Sequence, residues 1–85
     1  MERNEELKLT TLKTALKNSI LANYDRVVFL PEISMVWFSK TLRNFKGLFI
    51  VEGFEQQIFE VTFNSAKNEA YVDEYKKVNN NVVVM

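Results

Sequence analysis

Residues Ile33–Val51 read ISMVWFSKTLRNFKGLFIV, and the fold turns on how this stretch divides. Its apolar side chains recur at every second residue on both sides of a polar break at Arg43 and Asn44. A period of two is the mark of extended backbone, whose successive side chains point to opposite faces. In the first strand Ile33, Met35 and Trp37 share one face, with Val36, Phe38 and Leu42 on the other. In the second, Phe45, Phe49 and Val51 stand opposite Leu48 and Ile50. Both faces are apolar near the middle, as in strands covered on two sides. Arg43 and Asn44 suit a tight turn, since Asn tolerates positive φ. Gly47 signals a bulge or a close neighbour, and Gly53 opens a second turn.

Downstream, Gln57–Phe63 alternates cleanly, with Phe59, Val61 and Phe63 inward and Glu60 and Thr62 outward. Asn64–Glu69 is polar and turn-like. Short links between successive strands argue for an antiparallel meander. Ala70–Val78 fits two states. As a strand it places Tyr71, Asp73, Tyr75 and Lys77 on one face; as a helix it aligns Tyr71, Tyr75 and Val78, with Ser65 as a cap. The turn-rich link before it favours the strand. Asn79–Asn81 is a polar triplet, and Val82–Met85 is a β-branched tail that either adds a short edge strand or frays.

Upstream, Leu9, Leu12, Leu16, Ile20 and Tyr24 recur at three and four residues and draw one apolar helical stripe. Lys8, Lys13 and Lys17 lie off its centre, and of Leu7 and Leu21 one is expected to be partly exposed. Asn4 suits the N-cap, with Glu5 and Glu6 against the positive helix end. Between helix and sheet, Val27–Leu30 is too apolar for a free loop. Pro31 presses Leu30 towards extended geometry and removes a ladder donor. The expected architecture is therefore α+β: one domain over 1–85, with a helix over 4–24 and strands over 33–42, 45–52, 57–63 and 70–78.

The chain has 85 residues, 47% hydrophobic and 26% charged, which suits a packed domain rather than a disordered one. At 10.0 kDa a folded chain exposes roughly 5,200 Å², against about 14,500 Å² extended, enough burial to fold alone with little margin. Net charge is zero, which disfavours dependence on bulk attraction to phosphate. The absence of cysteine, the acidic polar start and the lack of a long apolar run predict a cytoplasmic protein without signal peptide or membrane span.

Without His or Cys, no Ser-His or Cys-His nucleophile pair can form, nor a zinc site built from those ligands. Carboxylates such as Glu60 and Asp73, on neighbouring strands, could flank a substrate, but their pattern is that of solvent-facing strand residues. The two glycines make no phosphate loop, and Glu69, Asp73 and Glu74 lack calcium-loop spacing. The expectation is no enzyme, no cofactor and no metal.

Two binding surfaces remain. Lys40, Arg43 and Lys46 gather at the first hairpin near Trp37, Phe38 and Phe45, a pattern that can track single-stranded nucleic acid when the rings are exposed. The competing reading puts those rings in the core and leaves the charges to solubilise the tip. The second surface follows from arithmetic: one helix cannot cover both faces of the sheet. The face carrying Val36, Phe38, Leu48 and Ile50, or its opposite, must be hidden by Val27–Leu30 and the tail, or by a protein partner such as a second copy.

Three strings also carry a resemblance: Val36-Trp-Phe-Ser-Lys-Thr-Leu-Arg-Asn-Phe-Lys46, Phe59-Glu-Val-Thr-Phe-Asn64 and Glu69-Ala-Tyr-Val-Asp-Glu-Tyr-Lys-Lys77. They resemble a family of short phage and prophage proteins of Gram-positive bacteria, a domain of unknown function with V-W-x-S-K-T-L-x-N-x-K, Y-E-V-T-Y-N-G-D-K and Y-x-D-x-Y-K-K signatures. The likeness spans Ile33–Lys77. Where that family has Asn-Gly at the third turn, this chain has Asn64-Ser65-Ala66, which leaves a tight hairpin there in question. The resemblance implies a phage-encoded accessory protein working inside a bacterial host. It carries no assigned site residues.

Overall fold

The computed structural model describes residues 3–41, 43–76 and 82–84. Helix α1 (Arg3–Tyr24) leads into a 3-10 turn (Leu30–Glu32) and then four strands: β1 (Ile33–Lys40), β2 (Asn44–Val51), β3 (Gln57–Asn64) and β4 (Glu69–Lys76). They form one antiparallel sheet in the order β1-β2-β3-β4. The α+β meander is as the periodicities predict, and Ala70–Lys76 is a strand. The expectations for Leu42, Lys77, Val78 and Asn79–Asn81 lie outside the described residues. Val82–Val84 forms no strand and is exposed.

The stripe on α1 does what its spacing requires: Leu12, Leu16 and Ile20 are buried, with Leu9 and Ala15 packed beside them. Tyr24 closes the stripe half-exposed, and both Leu7 and Leu21 are exposed rather than one of them. Asn4 lies inside the helix and is not its N-cap, because the helix begins at Arg3. The acidic first turn of Glu5 and Glu6 still opposes the positive end of the macrodipole. At the other end Asp25 takes φ +52° and its N–H donates to the Leu21 carbonyl at 3.0 Å, a left-handed C-terminal cap without glycine.

The sheet register decides what each face carries. Ile33, Met35, Phe38 and Lys40 on β1 pair with Val51, Phe49, Gly47 and Phe45 on β2, which in turn align with Phe59, Val61 and Phe63 on β3. This face meets the helix. The alternation predicted Phe38 opposite Met35, and it is overturned by a β-bulge: Met35 pairs with Phe49 but Trp37 pairs with Leu48, so Val36 is the extra residue. Past a bulge every side chain changes face. Phe38 therefore packs against the core, near the Phe45 ring at 6.5 Å, and Trp37 moves to the opposite face.

The turns are specified by side chains. Asn44 does not take positive φ; it belongs to β2 and pairs with Asn64. Thr41 braces the first hairpin instead, its hydroxyl donating to the Asn44 carbonyl and accepting from the Asn44 N–H, at 3.2 and 3.3 Å. The second turn places Gly53 at φ +88°, with the Arg26 guanidinium stacked over Phe54 at 4.8 Å and bonded to the Glu52 carbonyl. The third turn closes without Asn-Gly: the Asn64 side-chain oxygen accepts from the N–H groups of Ala66 and Lys67, and Asn68 supplies φ +52°.

Between helix and sheet, Val28 is fully buried while Val27 and Phe29 point out, so Val27–Leu30 caps the helix side of the core and does not screen the other face. The core reads Leu12, Leu16, Ile20, Val28, Ile33, Phe45, Phe49, Val51, Phe54, Phe59 and Val61. Gly47 is required beneath it: a Cβ there would stand 2.8 Å from the Phe49 ring and 3.1 Å from the Trp37 carbonyl oxygen. Phe49 is itself fully buried and has nowhere to retreat. Gly47→Ala is expected to lower stability by roughly 1–3 kcal/mol through overpacking, read as a reduced urea midpoint with an unchanged slope.

Candidate functional site

The face of the sheet turned away from α1 has no covering element among the described residues. Alternation and the bulge bring to it Ser34, Trp37 and Ser39 from β1, Lys46, Leu48 and Ile50 from β2, Ile58, Glu60 and Thr62 from β3, and Tyr71, Asp73 and Tyr75 from β4. Its large side chains are about half open to solvent: Trp37 45%, Ile50 44%, Ile58 44% and Tyr75 55%. Leu48 lies half-buried among them. Nothing polar is stranded, since no buried side-chain nitrogen or oxygen lacks a partner among the described residues.

This face is graded along the strands. At the end where β1 begins and β4 ends, Ile50, Ile58 and Tyr75 line a shallow concavity of about 410 Å³ with Glu55 and Gln57 at its margin. Towards the hairpin tip the surface becomes polar, with Ser39, Lys46 and Thr62 in one cross-strand row. Charge is graded across the strands: Lys46 sits on the β1–β2 half, and Glu60, Glu69 and Asp73 on the β3–β4 half. Glu60 and Asp73 are direct cross-strand partners, and Lys46 Nζ lies 3.8 Å from Glu60.

The basic hairpin is arranged differently from the nucleic-acid pattern. Lys40 Nζ turns back to Glu5 of α1 at 3.1 Å, and Lys46 lies beside Glu60. Arg43 is exposed at the tip, where its carbonyl accepts the Ser65 N–H at 3.2 Å. Of the rings, Phe45 is buried, with Lys8 of α1 over its face at 5.8 Å, and Phe38 is in the core layer. Of these three rings Trp37 alone is exposed to solvent. Of the predicted apolar face, Val36 is exposed at the bulge, Ile50 is exposed, Leu48 is half-buried, and Phe38 is on the wrong side. Trp37, Ile58, Tyr71 and Tyr75 complete the face; the period of two marked Tyr71 and Tyr75 as sharing a side, but Ile58 was not placed and the bulge left no composition signal.

The family comparison matches residues 7–85, taking in the helix stripe, all four strands and the tail. The chain belongs to DUF6275, a family of unknown function. No curated protein and no solved structure matches it. Family membership thus brings no assigned activity or ligand, and the site rests on its own geometry. Among the described residues no three His, Cys, Asp or Glu side chains converge as metal ligands, and no helix is long and apolar enough to cross a membrane.

A second polar cluster pins the C-terminal end of α1 to the sheet. The Tyr24 hydroxyl donates to Glu74 at 2.6 Å, Gln57 donates to the same carboxylate at 3.4 Å, and the Tyr24 ring meets Phe54 edge-on at 5.0 Å. The hydrogen bond to Glu74 raises the Tyr24 phenol above its ordinary value. On the open face the charge of Glu60 raises Tyr75, with desolvation and Asp73 adding to it, and a 2.6 Å bond to Glu69 raises Tyr71. All three tyrosines of the chain therefore hold their protons more tightly when folded. The sign follows: this contribution to stability is complete below the unfolded value near 10 and is lost as pH rises through the folded values. Ultraviolet difference titration should show the phenols ionising at higher pH in the folded than in the urea-unfolded chain, and Glu60→Gln should bring Tyr75 back down.

Proposed function

We propose that this chain is a non-catalytic binding module that docks another protein chain through its open sheet face, as a phage-encoded accessory protein in the cytoplasm of a bacterial host. The observation that carries the reading is the joint exposure of Trp37, Ile50, Ile58 and Tyr75 on one surface that no described element covers. Large aromatic and branched side chains cost solvation free energy when left half-open together, and a partner that buries them recovers it. Trp and Tyr are also the side chains that dominate binding energies. The host setting rests on the phage and prophage strings described above.

A non-catalytic role is supported by chemistry and shape together. Glu60 and Asp73 are adjacent, yet among the described residues no cleft encloses them to exclude water or orient a substrate. Docking of protein is favoured over docking of single-stranded nucleic acid because Lys40 and Lys46 already face carboxylates and because Phe38 and Phe45 lie in the core layer.

Affinity capture from infected or lysogenic cells tests the reading, using the native chain beside two variants. Ile50→Lys with Ile58→Lys should keep the circular dichroism of the fold and reduce recovery of the partner at least about ten-fold. Lys40→Ala with Arg43→Ala should leave recovery unchanged. Anisotropy with single-stranded oligonucleotides at low salt should show no binding. Binding that vanishes when Lys40, Arg43 and Lys46 become Ala would instead establish the nucleic-acid role.

A further inference from the structure

Resting on the docking role of the open face, we infer that its occupant is a second copy of this chain, packed sheet to sheet about a two-fold axis that runs parallel to the strands. Four observations lead there. The first is area. The chain exposes 6301 Å², roughly 1,000 Å² more than a self-contained protein of its mass. The exposed Val82–Val84 segment and the half-open side chains of the bare face both contribute to it. Four strands of eight residues each offer roughly 500 Å² in plan. Doubled over two copies and corrugated by side chains, this approaches the lower end of stable interfaces, about 1,200 Å² in total.

The second observation concerns the edges, the alternative place for copies to join. β4 is guarded by Glu69, Asp73, Glu74 and Lys76, and the ladder of β1 is broken by the Val36 bulge. Both are devices that discourage edge pairing. The face has no such guard at its apolar end.

The third is charge. A two-fold axis perpendicular to the strands would lay β3 on β3 and β4 on β4, setting Glu60, Glu69 and Asp73 of one copy against the same carboxylates of the other. An axis parallel to the strands lays β1–β2 on β3–β4, so that the Lys46 half of each copy meets the acidic half of the other. Like charges brought together cost energy and opposite ones select register, so the second arrangement is preferred.

The fourth is shape. In that arrangement Ile50 of each copy packs on Ile58 of the other, a reciprocal contact of the kind an isologous interface requires. β1 then lies over β4, which sets each Trp37 level with Asp73 of the other copy, one cross-strand row from Tyr75 and the concavity. The apolar ends of the two copies meet at one end of the interface, and the row of Ser39, Lys46, Thr62 and Tyr71 lies towards the other.

The test combines sedimentation with site-specific photocrosslinking of the full chain, an aryl-ketone amino acid replacing Trp37. The expected results are a concentration-dependent dimer and a crosslink from position 37 into the peptide containing Ile58 or Tyr75 of another copy. Ile58→Lys should raise the dimer dissociation constant at least about ten-fold with the fold unchanged by circular dichroism. Lys46→Glu should weaken it as well, and mixing that variant with Glu60→Lys, Asp73→Lys chains should restore a heterodimer. A crosslink into Ile33–Lys40 would mean edge pairing or an axis perpendicular to the strands, a dimer indifferent to Ile58→Lys would mean a different surface, and either would overturn the inference. A monomer whose position 37 crosslinks in cells to a different protein would overturn the second copy while leaving the docking face in place. A monomer with no crosslink would end both.

Discussion

The structure depends on one packing relation: a single helical stripe, Leu12, Leu16 and Ile20, seated on Phe49, Phe59 and Val61 of the sheet. A helix with side chains is about 10 Å across, whereas four strands span about 19 Å. One helix therefore screens part of one face, over β2, β3 and β4, and leaves β1 largely uncovered. Met35, on the helix side of β1, shows the limit, since it stays 39% exposed at the edge that α1 does not reach. Everything distinctive about the surface follows from this shortfall.

The bulge at Val36 adjusts β1 to that limited cover. By inserting one residue opposite β2 it turns Phe38 into the core layer, where it joins Phe45 and Phe63 in a row of rings beneath the first half of α1. The same step sends Trp37 to the bare side. Gly47 is part of the arrangement: it pairs with Phe38 and leaves room for the Phe49 ring, which a methyl group would displace. Core filling on one face and aromatic exposure on the other thus have one local cause. The helix is held at both ends by polar contacts, Glu5 with Lys40 and Tyr24 with Glu74. The exposed positions make these orienting contacts rather than large contributors to stability.

Much of the fold was legible in the residues. The spacing of Leu12, Leu16 and Ile20 located the helix face, and Phe59-Glu-Val-Thr-Phe63 located a strand with one buried side. Glu60 and Asp73 could be placed on neighbouring strands from the sequence, and the register makes them direct partners. The candidate face was read only in part. Val36, Leu48 and Ile50 were marked, but Phe38 was grouped with them and Trp37 with Ile33 and Met35, because a strict period of two cannot reveal an inserted residue. The cap at Asn4 and the turn at Asn44 failed for a related reason: each residue has the chemistry for the role, and the hydrogen-bonded ladder around it decides whether the role is used.

The order of amino acids by itself determined one amphipathic helix, a strand-rich remainder with more apolar side chains than one helix can cover, and the exclusion of His and Cys chemistry. Those conclusions need only periodicity and composition, which are properties of the chain one residue at a time. Tertiary structure decided which residues form the bare face, that Lys40 answers Glu5 across the fold, and that the charge on the open side is divided between its halves. These depend on register, and register is set by pairing between distant segments, where one bulged residue is enough to exchange inside for outside.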